Sequence, residues 1–105
     1  MSDIREGRRA VVARILEGDG RASHADRRAA FDNAGLGEPL QSLIDKVAKS
    51  ARDVTDEDIA AAKKSGLSED QIFELVVCAA IGQATRQYET ALAALDVATK
   101  KTEKE

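Results

Sequence analysis

The C-terminal part of the chain constrains the fold most, because it can form one long helix that is apolar on almost every side. From Glu69 to about Val97 the only helix-breaking residue is Gly82. Over residues 72–81 apolar side chains face all directions around such a helix, and Glu74 is the one charge among them. A helix of this kind has to be covered by other helices or by a second chain.

Four shorter helices are predicted before it. Gly18 ends the first, Ser23 caps the second, Pro39 occupies the first turn of the third, and Thr55 caps a fourth that ends at Gly66. Nowhere do β-branched residues alternate with polar ones, so no strand is expected. The predicted fold class is all-α with five helices.

Length and composition predict one domain that associates with itself. A chain of 105 residues is too short for two stable cores, so residues 1–99 are assigned to a single helical domain and residues 100–105 to a charged flexible tail. Only 3% of the residues are aromatic, so a core of Ala, Val, Leu and Ile offers little apolar area. Burial of further area in a homo-oligomer would compensate.

Charge and hydropathy argue against two classes of partner. Nucleic-acid-binding proteins usually have a basic face, whereas the net charge of this chain is −3. Nucleic acid is therefore not an expected partner. The longest apolar stretch is well short of the roughly 20 residues that span a bilayer, and the N-terminus does not resemble a signal peptide. We therefore expect a cytoplasmic protein with no membrane partner.

No metal or cofactor is expected. His24 is the only histidine and Cys78 the only cysteine, so one chain cannot assemble a typical zinc site or an internal disulfide. The acidic residues from Asp53 to Asp58 lack the alternation and central glycine of a calcium loop, and they suit the start of a helix.

Glu74 and Cys78 are the candidate catalytic residues. Glu74 lies on the most apolar segment, where desolvation would raise its pKa as a general acid or base requires. The alternatives are an exposed glutamate near the helix start and a structural ion pair. The partner in such a pair would be Arg86 on the same helical stripe or a basic residue of a neighbouring subunit. Cys78 could be a nucleophile, but its apolar neighbours favour an inert core thiol.

The segment Ile59–Leu75 resembles the carboxymuconolactone decarboxylase and alkylhydroperoxidase D-like superfamily. It has a short Ala-rich helix ending in Gly66-Leu67-Ser68, then acidic residues, Ile72 and Glu74, and then a long apolar helix. The resemblance extends over roughly Leu40–Leu95. It implies an alkylhydroperoxidase D-like helical domain that forms a homo-oligomer.

The redox members of that superfamily carry a Cys-x-x-Cys pair followed by a histidine. By the family's usual spacing those positions fall near Ala51, Val54 and Asp58, which have neither thiol nor imidazole. The resemblance therefore implies a non-redox member, and we expect a small binding or assembly protein that acts with itself or with a related family member.

Two enzymatic alternatives stay open. One is an enzyme that uses Glu74 as general acid or base on a small organic acid or lactone, so a small-molecule ligand is possible. The other is a peroxidase that uses Cys78 alone.

Overall fold

A computed structural model describes the backbone of residues 2–104 and the side chains of residues 6–100. This part of the chain contains five α-helices, one short 3-10 turn and no strand, which confirms the predicted all-α, five-helix class. The helices are α1 (Ser2–Glu17), α2 (His24–Asp32), α3 (Leu40–Ser50), α4 (Asp56–Lys64) and α5 (Glu69–Lys104), and the 3-10 turn Ala51–Asp53 joins α3 to α4.

The helix starts follow the capping signals in the sequence. Thr55 accepts the backbone N–H of Asp58 at 3.2 Å, and the Asp58 carboxylate accepts the N–H of Thr55 at 2.9 Å. Ser68 and Gln71 exchange the same pair of hydrogen bonds at the start of α5. Ser23 caps α2 as predicted. Pro39 is the residue before α3 rather than part of its first turn.

α5 is longer than predicted. It continues to Lys104, so the expected end near Val97 is too early, and the backbone of residues 100–104 is helical. The sequence contains no glycine or proline after Gly82 that would end the helix. At about 1.5 Å per residue, the 36 residues of α5 account for most of the molecule's 59 Å length. Glu105 lies outside the described residues.

The core lies between the first half of α5 and the shorter helices. α2 and α3 pack extensively against α5, and α4 packs against both α3 and α5. Buried apolar side chains form two clusters, one between α1, α2, α3 and α5 and the other between α3, α4 and α5. The first contains Leu16, Ala22, Ala30, Phe31, Ile44, Leu75, Cys78 and Ala79, and the second Leu43, Ala62 and Ile72.

The shorter helices do not cover α5 on every side. Among residues 72–81, Phe73 is 68% exposed and Ala80 is also exposed. Leu75 and Ala79, on the covered side, are almost fully buried. The single chain therefore leaves part of this helix uncovered, as its apolar residues on nearly every side predict, because short helices that pack on one side of a helix leave its opposite side open.

Candidate functional site

Glu74 binds the loop that connects α1 to α2. Its Oε1 and Oε2 accept the backbone N–H of Arg21 at 2.8 and 3.0 Å, and Oε2 also accepts the N–H of Ala22 at 2.6 Å. One turn earlier on α5, Gln71 donates to the carbonyl oxygen of Arg21 at 3.1 Å. Two side chains of α5 thus fix the backbone that leads into α2.

Gly20 permits this close approach. A Cβ atom built on Gly20 would stand 2.7 Å from Oε1 of Glu74, closer than real Cβ contacts allow. A side chain at residue 20 would therefore displace the end of the Glu74 side chain or shift the loop.

These hydrogen bonds lower the pKa of Glu74, contrary to our expectation from the sequence. The N–H groups of Arg21 and Ala22 stabilise the carboxylate, partial burial opposes them, and the charges of Arg27 and Arg21 assist them. We expected desolvation to raise the pKa of this group. Desolvation is outweighed because the backbone supplies donors that sequence periodicity does not reveal.

Arg86 is not the partner of Glu74. It donates instead to the carbonyl oxygen of Phe31, in the last turn of α2, and to Gln83 Oε1 at 3.1 Å. Carbonyl groups at the end of a helix lack partners within the helix and attract a cation. The expected ion pair between Glu74 and Arg86 is therefore wrong, although Glu74 is partly buried as predicted.

Arg27 is a functional candidate that the sequence reasoning missed. It was grouped with the exposed arginines of the N-terminal third, but it is only 4% exposed. Its Nη1 donates to the carbonyl oxygens of Ile15 at 3.2 Å and Gly18 at 2.7 Å, so it stabilises the C-terminal end of α1. Helical spacing could have located it, because Arg27 lies on the same face of α2 as Ala30 and Phe31.

Cys78 is a core residue, as its neighbours in the sequence indicate. It is 1% exposed, and its Sγ lies 4.0 Å from the carbonyl oxygen of Ile15. Burial raises the pKa of the Cys78 thiol, the charge of Arg27 opposes that rise, and the charge of Glu74 adds to it. The thiol is therefore mostly protonated at neutral pH.

Glu74 and Cys78 lie together beside a small cleft, one helical turn apart on α5. The cleft measures about 210 Å³ and is also lined by Arg27 and Phe73. The Glu74 carboxylate is already bonded to the loop and has a lowered pKa, so it is a poor proton donor near neutral pH. The Cys78 thiol is protonated and buried. The geometry therefore favours a structural role for both residues.

His24 and Asp58, from the residues considered as metal ligands in the sequence, lie in separate places. His24 is exposed at the start of α2, and Asp58 is bonded to Lys46 and to the start of α4. Within the described residues, no group of three or more His, Cys, Asp or Glu side chains could hold a metal ion.

A larger groove runs between α1 and the second half of α5. Leu16 packs in the core near Cys78, whereas Arg8 reaches Thr85 and Tyr88, so α1 runs antiparallel to α5. Arg8 donates to Thr85 Oγ1 at 3.2 Å, and its guanidinium carbon lies 4.3 Å from the centre of the Tyr88 ring. Beside these contacts the groove measures about 630 Å³. Its apolar lining includes Val12, Leu16, Phe31 and Leu92.

The charged residues of the groove are divided between its sides. On the side of α1 and α2, three arginines form what we call the basic wall: Arg8, Arg9 and Arg28. On the side of α5, Glu89 and Asp96 form the acidic wall. Glu17 is the exception to this division, because it is an acidic residue on the side of α1, two turns beyond Arg9.

Three of these charges have no partner in the described part of the chain. Among residues 6–100, Arg9, Glu89 and Asp96 form no ion pair and no hydrogen bond between side chains. The groove therefore carries charges of opposite sign on its two sides.

The protein is thus all-helical, with a loop between α1 and α2 that is held by Glu74, a small cleft beside Glu74 and Cys78, and an open groove between α1 and α5. Comparisons with protein-family models, curated proteins and solved structures give no match to this chain. Within the described residues, no helix is both long enough and apolar enough to cross a membrane.

Proposed function

We propose that this chain is a small, non-enzymatic assembly protein of the non-redox alkylhydroperoxidase D-like type, which acts by associating with itself. The observation that carries the proposal is the apolar surface on the second half of α5. A cytoplasmic location and association with a related family member remain parts of the proposal.

The second half of α5 exposes side chains that a single helical domain does not cover. Leu95 is 63% exposed. Leu92 and Tyr88, one and two turns before Leu95 on the same face of α5, are only half-buried along the groove. Contiguous apolar surface of this kind is characteristic of an interface between proteins, and an Ala-rich chain has little other apolar area to bury.

The state of the candidate catalytic residues supports a non-enzymatic role. Glu74 has its carboxylate occupied by the N–H groups of Arg21 and Ala22. Cys78 is enclosed in the core with a raised pKa. Neither side chain offers a reactive group that a substrate could reach in the form that acid–base or thiol chemistry needs.

The proposal is tested by measuring mass in solution. Light scattering on a chromatography peak should give a multiple of 11.2 kDa at micromolar concentration. Leu95→Glu should lower that mass, because it places a charge in the apolar surface of α5. Ala94→Glu is the matched control: it adds the same charge to an exposed neighbouring position outside the apolar stripe. A mass of one chain at every accessible concentration would overturn the proposal.

A further inference from the structure

We infer that the groove between α1 and α5 is closed by the same groove of a second copy, in a two-fold dimer in which α1 of each copy lies beside α5 of the other. This inference rests on the proposed function and adds to it the surface, the partner and the geometry. Three observations carry it.

The first observation is the shape of the groove. α1 and α5 are antiparallel and separate enough to leave about 630 Å³ between them, with Val12 and Leu92 among the side chains that line it. Two such pairs placed face to face form four helices around one apolar centre, the common arrangement of a helical bundle. Each copy supplies the half of the bundle that the other lacks.

The second observation is the division of charge. A two-fold axis makes the same patch meet itself, so a patch of one sign would repel its copy. Here the charges are separated, with Arg9 in the basic wall on α1 and Glu89 and Asp96 in the acidic wall on α5. When α1 lies beside α5 of the second copy, each basic wall meets an acidic wall.

The third observation fixes the direction of the axis. Arg8 contacts Thr85 and Tyr88, so this part of the basic wall lies at about the height of Glu89, whereas Asp96 lies about 10 Å further along α5. Rotation about an axis parallel to the helices keeps every residue at its height. That orientation leaves Arg9 about level with Glu89 of the second copy, and it makes all neighbouring helices of the bundle antiparallel.

The experiment reverses one wall at a time and then mixes the variants. Arg9→Glu with Arg28→Glu makes both walls acidic, apart from Arg8. Glu89→Lys with Asp96→Lys makes both walls basic, apart from Glu17. Each variant alone should raise the Kd of the dimer at least about tenfold, since like charges then face each other in both contacts.

An equimolar mixture of the two variants should restore association. In the mixed dimer, the reversed basic wall of one copy meets the reversed acidic wall of the other, and the two unchanged walls meet in the second contact. Opposite charges therefore face each other in both places. Restoration requires that the walls meet between chains, because an effect within one chain would persist in the mixture.

Sedimentation equilibrium on each variant and on the mixture measures the result, with circular dichroism to verify helix content. Arg9→Lys with Arg28→Lys is the matched control, because it keeps the charge and should leave the dimer intact. If the native protein associates but the reversed variants associate equally well, or the mixture fails to recover, the groove is not the interface, while the proposed assembly role stands. A native protein that is always a single chain overturns both.

Discussion

Gly82 of α5 lies directly against the backbone of Phe31 in α2. A Cβ atom built on Gly82 would stand 2.7 Å from the carbonyl carbon of Phe31 and 2.9 Å from its Cα. Both atoms belong to the backbone, so neither can move aside as the end of a flexible side chain could. The absence of a side chain at residue 82 therefore sets how closely α2 and α5 pack.

Gly82→Ala should destabilise the protein by about 1–3 kcal/mol, the usual range for an added group in a packed core. This loss should exceed the gain of up to about 1 kcal/mol that alanine brings to a helix interior. Urea unfolding followed by circular dichroism measures the difference. Gly7→Ala is the matched control, because nothing lies within 4 Å of a Cβ built on Gly7 in α1. It should be neutral or stabilising, and equal effects of the two substitutions would show that the contact with α2 is unimportant.

Glu74→Gln should destabilise the protein near neutral pH and much less in acid. The loop N–H groups lower the pKa of Glu74 in the folded protein. Its contribution to stability is therefore present above the unfolded-state pKa of about 4.3 and is lost as the pH falls through the lower folded-state value. Replacement of a charged acceptor should cost about 1–3 kcal/mol at neutral pH.

Unfolding free energies of the native protein and Glu74→Gln, measured across this pH range, check that prediction. Glu57→Gln changes an exposed carboxylate in the first turn of α4 and should have a smaller effect. A difference between native protein and Glu74→Gln that stays constant from neutral pH into acid would mean that the charge of Glu74 does not bind the loop.

Arg27→Met should cost about 2–4 kcal/mol, because it removes hydrogen bonds from a charged donor to the carbonyl groups of Ile15 and Gly18. Methionine retains much of the apolar volume of the arginine stem, so the loss reports mainly on the hydrogen bonds. Thermal unfolding measures it. Arg52→Met, at an exposed position between α3 and α4, should change stability by less than about 0.5 kcal/mol. Similar losses for both variants would contradict a special role for Arg27.

Cys78 should react slowly with a thiol reagent while the protein is folded and promptly in denaturant. Burial both hides the Sγ atom and raises the pKa of the thiol, so little thiolate is accessible at neutral pH. Ellman's reagent measures the rate. Ala80→Cys in a Cys78→Ala background places the thiol at an exposed position of the same helix and should react quickly. Equal rates at the two positions would argue for an accessible, reactive Cys78.

The sequence predicted the helices well because their limits depend on neighbouring residues. The capping pair Thr55 and Asp58 lies within four residues, and Ser68 and Gln71 repeat that spacing. The end of α5 was placed too early because its last residues contain no local stop signal. The charged residues there were expected to end the helix, but charge alone does not end a helix.

The partners of Glu74 could not be predicted in the same way. They are backbone N–H groups of a loop, and no residue type at positions 21 and 22 signals that those groups point toward α5. Arg27 is different, because its place on the face shared with Phe31 was visible in the spacing. It was nevertheless predicted to be exposed, because several other arginines lie near it in the sequence.

The order of synthesis gives the bond between Glu74 and the loop a further consequence. A ribosome adds Arg21 and Ala22 to the growing chain 53 and 52 residues before it adds Glu74. During that interval α1 and α2 exist without the carboxylate that fixes their connection and without the helix that covers them. Helical turns form locally and fast, whereas contacts this distant in sequence wait for both ends. A nascent chain thus exposes the apolar sides of α1 and α2 until α5 has been made.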